Sequence, residues 1–184
     1  MDKSALRKLK AKERDSLSQS EVQALSDMII RKLMNTEAYR NAKTILTYVS
    51  FRSEVITDDL ILTALNDGKK VGVPKVEGDK MTFYKITSLD MLEAGYFGVR
   101  EPLVTEEELA PEGCLMIVPG LAFDYELDRI GYGKGFYDKY FTAYADKSFT
   151  KCGIAFDCQM CEKIEADPFD QPLDMLITET SVFT

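Results

Sequence analysis

The chain has 184 residues, enough for one buried core, and its 45% hydrophobic and 29% charged residues exclude a disordered or collagen-like polymer. A formal net charge of −8 works against nonspecific attraction to nucleic acid or anionic lipid, so a small-molecule partner is expected. Histidine is absent, which excludes Ser-His-Asp and Cys-His catalysis and leaves carboxylates, Lys, Arg, Tyr, backbone amides or an oxygen-held metal to do any chemistry.

Residues 2–15 carry Leu6, Leu9 and a dense basic set and predict a first helix. This charged start has no apolar signal stretch. The longest apolar runs, such as CLMIVPGLAF at 114–123, fall short of the roughly 20 residues of a membrane span, so a cytoplasmic protein is expected. Ser18 followed by Glu21 forms a capping box for a second helix, with Val22, Leu25, Ile29, Ile30 and Leu33 on one face and an end near Asn35-Thr36.

A short turn of helix over 37–40 leads into TILTYVSF (44–51), which reads as a buried strand. Thr57 or Asp58 caps a helix ending at Asn66-Asp67-Gly68, before the strand KVGVPKV. MTFYKI is a further strand. From Leu89 to Gly113 the Gly and Pro content predicts loop, with a short helix near 106–109. LMIVPG is a buried strand, 120–134 a glycine-punctuated loop, and Phe136, Tyr137, Tyr140, Phe141 and Tyr144 share one face of a helix that starts at Gly135. KCGIAF and DMLITE are the last strands.

Strands alternating with helices predict an α/β layered fold with a largely parallel sheet, and no repeat or linker divides residues 1–184. Of the four cysteines, Cys152, Cys158 and Cys161 lie in CGIAFDCQMC and invite a thiolate-cluster reading. Four zinc ligands are hard to assemble without histidine, and Cys114 sits in an apolar strand, so reduced thiols are expected.

The segment PGLAFDYELDRIGYGKGFYDKY (119–140) follows a strand and ends in a helix, where ligands bind in open α/β sheets. Gly131, Gly133 and Gly135 alternate with Tyr132, Lys134 and Phe136, so the backbone can approach a ligand closely, beside a helix N-terminus. Arg129 and Lys134 add cations, and Asp138 lies one turn into the helix. The combination suits a nucleotide phosphate with magnesium, although the spacing is neither a Walker A loop nor a dinucleotide fingerprint. On the glycine pattern alone, a flexible surface turn with solvated Arg and Lys remains the alternative.

The run VPGLAFD, a short insert, then RIGYGKGFYDKY closely resembles the C-terminal signature of the 5-formyltetrahydrofolate cyclo-ligase family, also called methenyltetrahydrofolate synthetase. KSALRKLKAKERDSLS resembles the family's amino-terminal helix, TYVSFRSEVIT its glutamate-bearing strand, YFGVREP its Gly-x-x-Glu-Pro segment and FDQPLDMLITE its ending.

The resemblance implies a ligase forming a C–N bond on a three-layer fold like that of NagB, RpiA and the CoA transferases, with magnesium as cofactor and ATP as co-substrate. It also implies ATP contacts at Lys3, Ser4, Ala5, Leu6 and Arg7 and over Arg129, Ile130, Gly131, Tyr132, Gly133, Lys134, Gly135, Phe136 and Tyr137. Folate contacts are implied at Val49, Glu54 and Tyr132–Phe136, magnesium carboxylates at Asp138 and Asp170, and phosphoryl stabilisation at Arg129 and Lys134. Two positions depart from the family. Phe169 stands where many relatives have histidine, and the insert YELD (125–128), where glycine is common, is expected to reshape the phosphate entrance. A ligand-binding module without turnover and a nucleic-acid binder built on residues 3–14 are the competing readings. A monomer is the expected state, a dimer being left open.

Overall fold

Alternation of side chains about short β-branched runs builds the centre of the molecule, described over residues 2–184 in a computed structural model. Helices α1 (Lys3–Asp15), α2 (Gln19–Met34) and α3 (Glu37–Asn41) precede strand β1 (Thr44–Thr47). Helix α4 (Asp58–Asn66) and strands β2 (Lys70–Glu77) and β3 (Lys80–Ile86) follow, then a ribbon of β4 (Leu92–Ala94) and β5 (Arg100–Pro102). Beyond it come β6 (Leu115–Val118), β7 (Ala122–Phe123), β8 (Arg129–Ile130), α5 (Phe136–Ala143), β9 (Thr150–Ile154), β10 (Met175–Ile177) and β11 (Val182–Phe183).

The main sheet has seven strands in the order β11-β10-β9-β6-β1-β2-β3. The five from β10 to β2 run parallel, and β11 and β3 close the edges antiparallel. Period-two side chains divide two cores. On one face Ile45, Val71, Ile117, Ile154 and Ile177 meet Ile29 and Leu33 of α2 and Leu60 and Ile61 of α4. On the other, Leu46, Met116, Val118 and Leu176 meet Tyr140 and Phe141 of α5, together with Phe83 and Phe123. Helices on both faces of a mostly parallel sheet give the expected three-layer α/β architecture. Among the described residues, no helix is long and apolar enough to cross a membrane.

The capping box at α2 forms as read, with Ser18 and Glu21 bonding each other's backbone. Several boundaries differ from expectation. β1 stops at Thr47, four residues early, because Tyr48–Phe51 bends away to make local bonds: Thr57 Oγ1 donates to the Tyr48 carbonyl (2.9 Å) and accepts from Ser50 N (3.0 Å). Thr57 is thereby used as a clamp and makes no side-chain cap on α4.

No helix forms at 106–109. Lys85 N donates to Glu107 O (2.8 Å) and Leu109 N to Phe83 O (2.9 Å), so this segment runs extended beside β3. The ladder satisfies backbone groups that a single helical turn leaves open. The 120–134 loop contains the β7–β8 hairpin, whose turn is the YELD insert. The buried Asp124 carboxylate accepts Glu126 N and Asp128 N (both 3.0 Å) and Ile164 N (2.8 Å), which holds that turn. The four cysteines are free thiols.

Phe83 is fully buried and meets the rings of Tyr137 and Tyr140 edge-on at 6.5 and 5.2 Å, tying β3 to the helix behind the glycine loop. Phe83→Ala is expected to lower unfolding free energy by about 3–5 kcal/mol, read from urea midpoints. A loss under about 1 kcal/mol would mean that the cavity collapses and the ring contacts are dispensable.

Candidate active site

The chain runs from β1 through α4 to β2 on one side of the sheet, and later enters β6 on the other side of β1. The carboxyl ends of β1 and β6, paired in parallel through Thr47 and Ile117, therefore flank the point where strand order reverses. Ligands bind at such switch points in open α/β sheets. The segment after β1 delivers Glu54, and the segment after β6 delivers the hairpin and the glycine loop.

Helix α1 lies against this hairpin. Leu6, Ala122, Ile130 and Ile164 make a small core beneath it. Around that core the basic residues of α1 divide by helical spacing: Lys8 and Lys12 face solvent, while Lys3, Arg7, Lys10 and Arg14 turn inward at steps of three and four. Arg7 Nε donates to the Gly131 carbonyl (3.0 Å), and Lys10 Nζ to the Cys158 carbonyl (2.9 Å). Arg14 donates to the Tyr132 hydroxyl (3.0 Å) and to Ser53 Oγ (3.1 Å). Lys3 forms ion pairs with Asp167 and Asp170, both at 2.5 Å.

Gly133 (φ 93°) and Gly135 (φ 67°) are left-handed, a conformation that strains a side-chain-bearing residue, so glycine sets the path of this loop. Gly135 is the N-cap of α5 and makes no side-chain cap. Lys134 is exposed and has no ion-pair partner among the described residues.

Arg129 is its opposite, 8% exposed, with its guanidinium 5.7 Å from the centroids of Tyr137 and Phe141. Its Nη2 donates to Asp138 Oδ1 (3.0 Å), and its buried Nε has no partner among the described residues. A buried guanidinium donor left open is costly unless an incoming acceptor completes it. Asp138, Asp170, Phe169 and Gly135 line one cavity of about 550 Å³. Asp170 is held below the usual carboxylate range, its own burial opposing the shift and the Lys3 hydrogen bond prevailing.

Not every residue implied at the site presents its side chain there. Leu6 and Ile130 are core residues, so only their backbone can serve a ligand. Val49, 3% exposed, is packed in the core beside Val55 and Tyr48. Ser4 and Ala5 lie exposed in the first turn of α1, and Phe136 and Tyr137 are half-buried at the start of α5. Nothing in the sequence singles out Ser53 or Asp167, and Arg14 enters there only as one basic residue of the first helix. The spacing 3-7-10-14 marks Arg14 as facing the same way as Lys3 and Arg7.

Glu54 is almost fully buried, and both its oxygens are engaged: Oε1 by the Tyr132 hydroxyl and Oε2 by Phe51 N (2.9 Å). Burial raises its pKa above the usual glutamate value, against the opposing pull of those hydrogen bonds and of Arg14. A raised carboxyl contributes stability fully below its unfolded pKa and loses it as pH rises through the folded one. Relative to Glu54→Gln, wild-type stability should therefore fall as pH climbs from about 4, the ordinary glutamate value, into the range above it. Urea unfolding of both proteins across that range measures it, and a pH-independent difference would contradict it.

The model of the 5-formyltetrahydrofolate cyclo-ligase family matches residues 1–179. Among solved structures, the chain is similar to a 5,10-methenyltetrahydrofolate synthetase from Aquifex aeolicus, at 35% identity and a TM-score of 0.86 over 100% of this chain and 92% of that one. It is also similar to one from Mycoplasma pneumoniae, at 27% identity and a TM-score of 0.78 over 97% and 99%. The mouse 5-formyltetrahydrofolate cyclo-ligase is 30% identical over 178 residues, which is 90% of this chain and 88% of that protein. With the match spanning nearly its whole length, the chain belongs to the 5-formyltetrahydrofolate cyclo-ligase family.

Proposed function

We propose that residues 1–184 work as one cytoplasmic domain that cyclises 5-formyltetrahydrofolate to 5,10-methenyltetrahydrofolate, using ATP and magnesium and releasing ADP and phosphate. Membership of a family of C–N bond-forming ligases supports the folate half of this reading. The ATP half rests on Arg129, a buried guanidinium with one open donor beside the glycine-loop amides and exposed Lys134.

A formamide carbon is a poor electrophile and its oxygen a poor leaving group. In the proposed sequence the formyl oxygen attacks the γ-phosphorus and ADP leaves. N10 then bonds to the activated carbon, its proton departs, and the C–O bond breaks to release phosphate. The residues position groups and neutralise charge more than they react. Lys3, Arg7, Arg129 and Lys134 would meet the phosphates, and Glu54 would accept ring N–H groups of the pterin.

Asp138 and Asp170 suit magnesium, which commonly takes one or two carboxylates plus phosphate and water. They line one cavity, and each is neutralised by a single cation, Arg129 or Lys3. Polyphosphate oxygens could take over those cations and free the carboxylates. Bound there, the ion would offset charge on the transferring phosphoryl group.

The test is to mix purified protein, magnesium and ATP with 5-formyltetrahydrofolate and follow the methenyl product optically alongside ADP release. Both are expected together, with no ADP formed when folate is omitted; absence of the product would overturn the reading. Lys134→Ala should lower kcat by roughly 10²–10³-fold with the fold intact, and unchanged turnover would remove Lys134 from the site.

A further inference from the structure

Arg14 lies at the end of α1, 5% exposed, and spans two segments that meet nowhere in sequence. Its Nε donates to Ser53 Oγ (3.1 Å) in the turn after β1, and its Nη1 to the Tyr132 hydroxyl (3.0 Å) in the glycine loop. The guanidinium carbon also sits 5.9 Å from the Tyr132 ring centroid. The Tyr132 hydroxyl in turn donates a hydrogen bond to Glu54, whose other oxygen accepts one from Phe51 N (2.9 Å). Ser53 Oγ donates its own hydrogen bond to Asp15.

Every donor in this chain points the same way, from guanidinium to phenol to carboxylate. Accepting from a cation makes the Tyr132 hydroxyl a stronger donor to Glu54. We propose that Arg14 is a positioning residue for the folate substrate, latching Tyr132 and the Ser53-Glu54 turn together so that the Glu54 carboxylate is preset for the pterin. The proposal rests on the cyclo-ligase reading above.

Position along α1 sets Arg14 apart from the phosphate contacts expected at Lys3 and Arg7, while Tyr132 itself follows Gly131 in the shared loop. Seven helical residues place Arg14 about 10 Å beyond Arg7 along α1, away from the end where Lys3 meets Asp170. Loss of Arg14 should thus loosen the folate end and leave the phosphate end in place. A planar fork serves two acceptors at once, which a lysine ammonium on one stem does poorly.

Steady-state kinetics with each substrate varied in turn tests this. Arg14→Ala should raise KM for 5-formyltetrahydrofolate roughly ten- to a hundredfold, as expected for losing hydrogen bonds to a charged group, with a much smaller change in KM for ATP. Arg14→Lys should fall between. Tyr132→Phe, which removes only the shared hydroxyl, should also raise the folate KM, and the double variant should add little to either single change. Should Arg14→Ala fail to fold, Arg14→Lys and Tyr132→Phe carry the same test. An unchanged folate KM, or equal rises in both KM values, would overturn the role. A wild-type protein without methenyl product would instead overturn the function on which it rests.

Discussion

The inward cationic stripe of α1 is the contact on which the candidate site depends. A helix usually docks through an apolar face; this one has Leu6 in a small core, and around it Lys3, Arg7, Lys10 and Arg14 reach carboxylates, carbonyls and a phenol. Those acceptors belong to the glycine loop, the turn after β1, and the segments near Cys158 and Asp170. One helix thus ties together four stretches that lie far apart in the chain. Its charges are also the ones that a polyphosphate would seek.

The sheet supplies what the helix organises. Because strand order reverses at β1 and β6, the chain leaves two adjacent strand ends free to carry loops into the same space. Gln159 reinforces the β6 side, its amide bridging the carbonyls of Gly120 and Leu121 (2.9 and 3.3 Å), and Asp124 fixes the hairpin turn with three backbone bonds. A rigid base is what lets a loop of alternating glycines hold one shape.

Much of this was legible in the sequence. Ser18 and Glu21 announced α2, apolar periodicity gave the inner strands and α5, and the glycine run marked the loop. What escaped depends on partners distant in the chain. Thr57 looks like a helix cap, but Tyr48 and Ser50 claim its hydroxyl, and the 106–109 segment has helical composition yet an open edge at β3 to pair with. Arg14 looked like one more solvated charge because nothing local reveals Tyr132 and Ser53 beside it. Val49 sat near Glu54 in sequence, but the turn after β1 sends one into the core and the other to the loop.

The charge arrangement has a common logic. Lys3 with Asp170 and Arg129 with Asp138 are ion pairs at the rim of one cavity, each joining a group suited to phosphate and a group suited to a hard cation. Exchange of partners would admit a magnesium–nucleotide complex without leaving a buried charge uncompensated. The most direct measurement is a crystal structure with ADP, magnesium and a reduced folate bound. Phosphates are expected on Lys3, Arg7, Arg129 and the Gly131–Gly135 amides, the ion on Asp138 and Asp170, and the pterin on Glu54. Nucleotide bound away from the glycine loop, or an ion on other ligands, would contradict that arrangement.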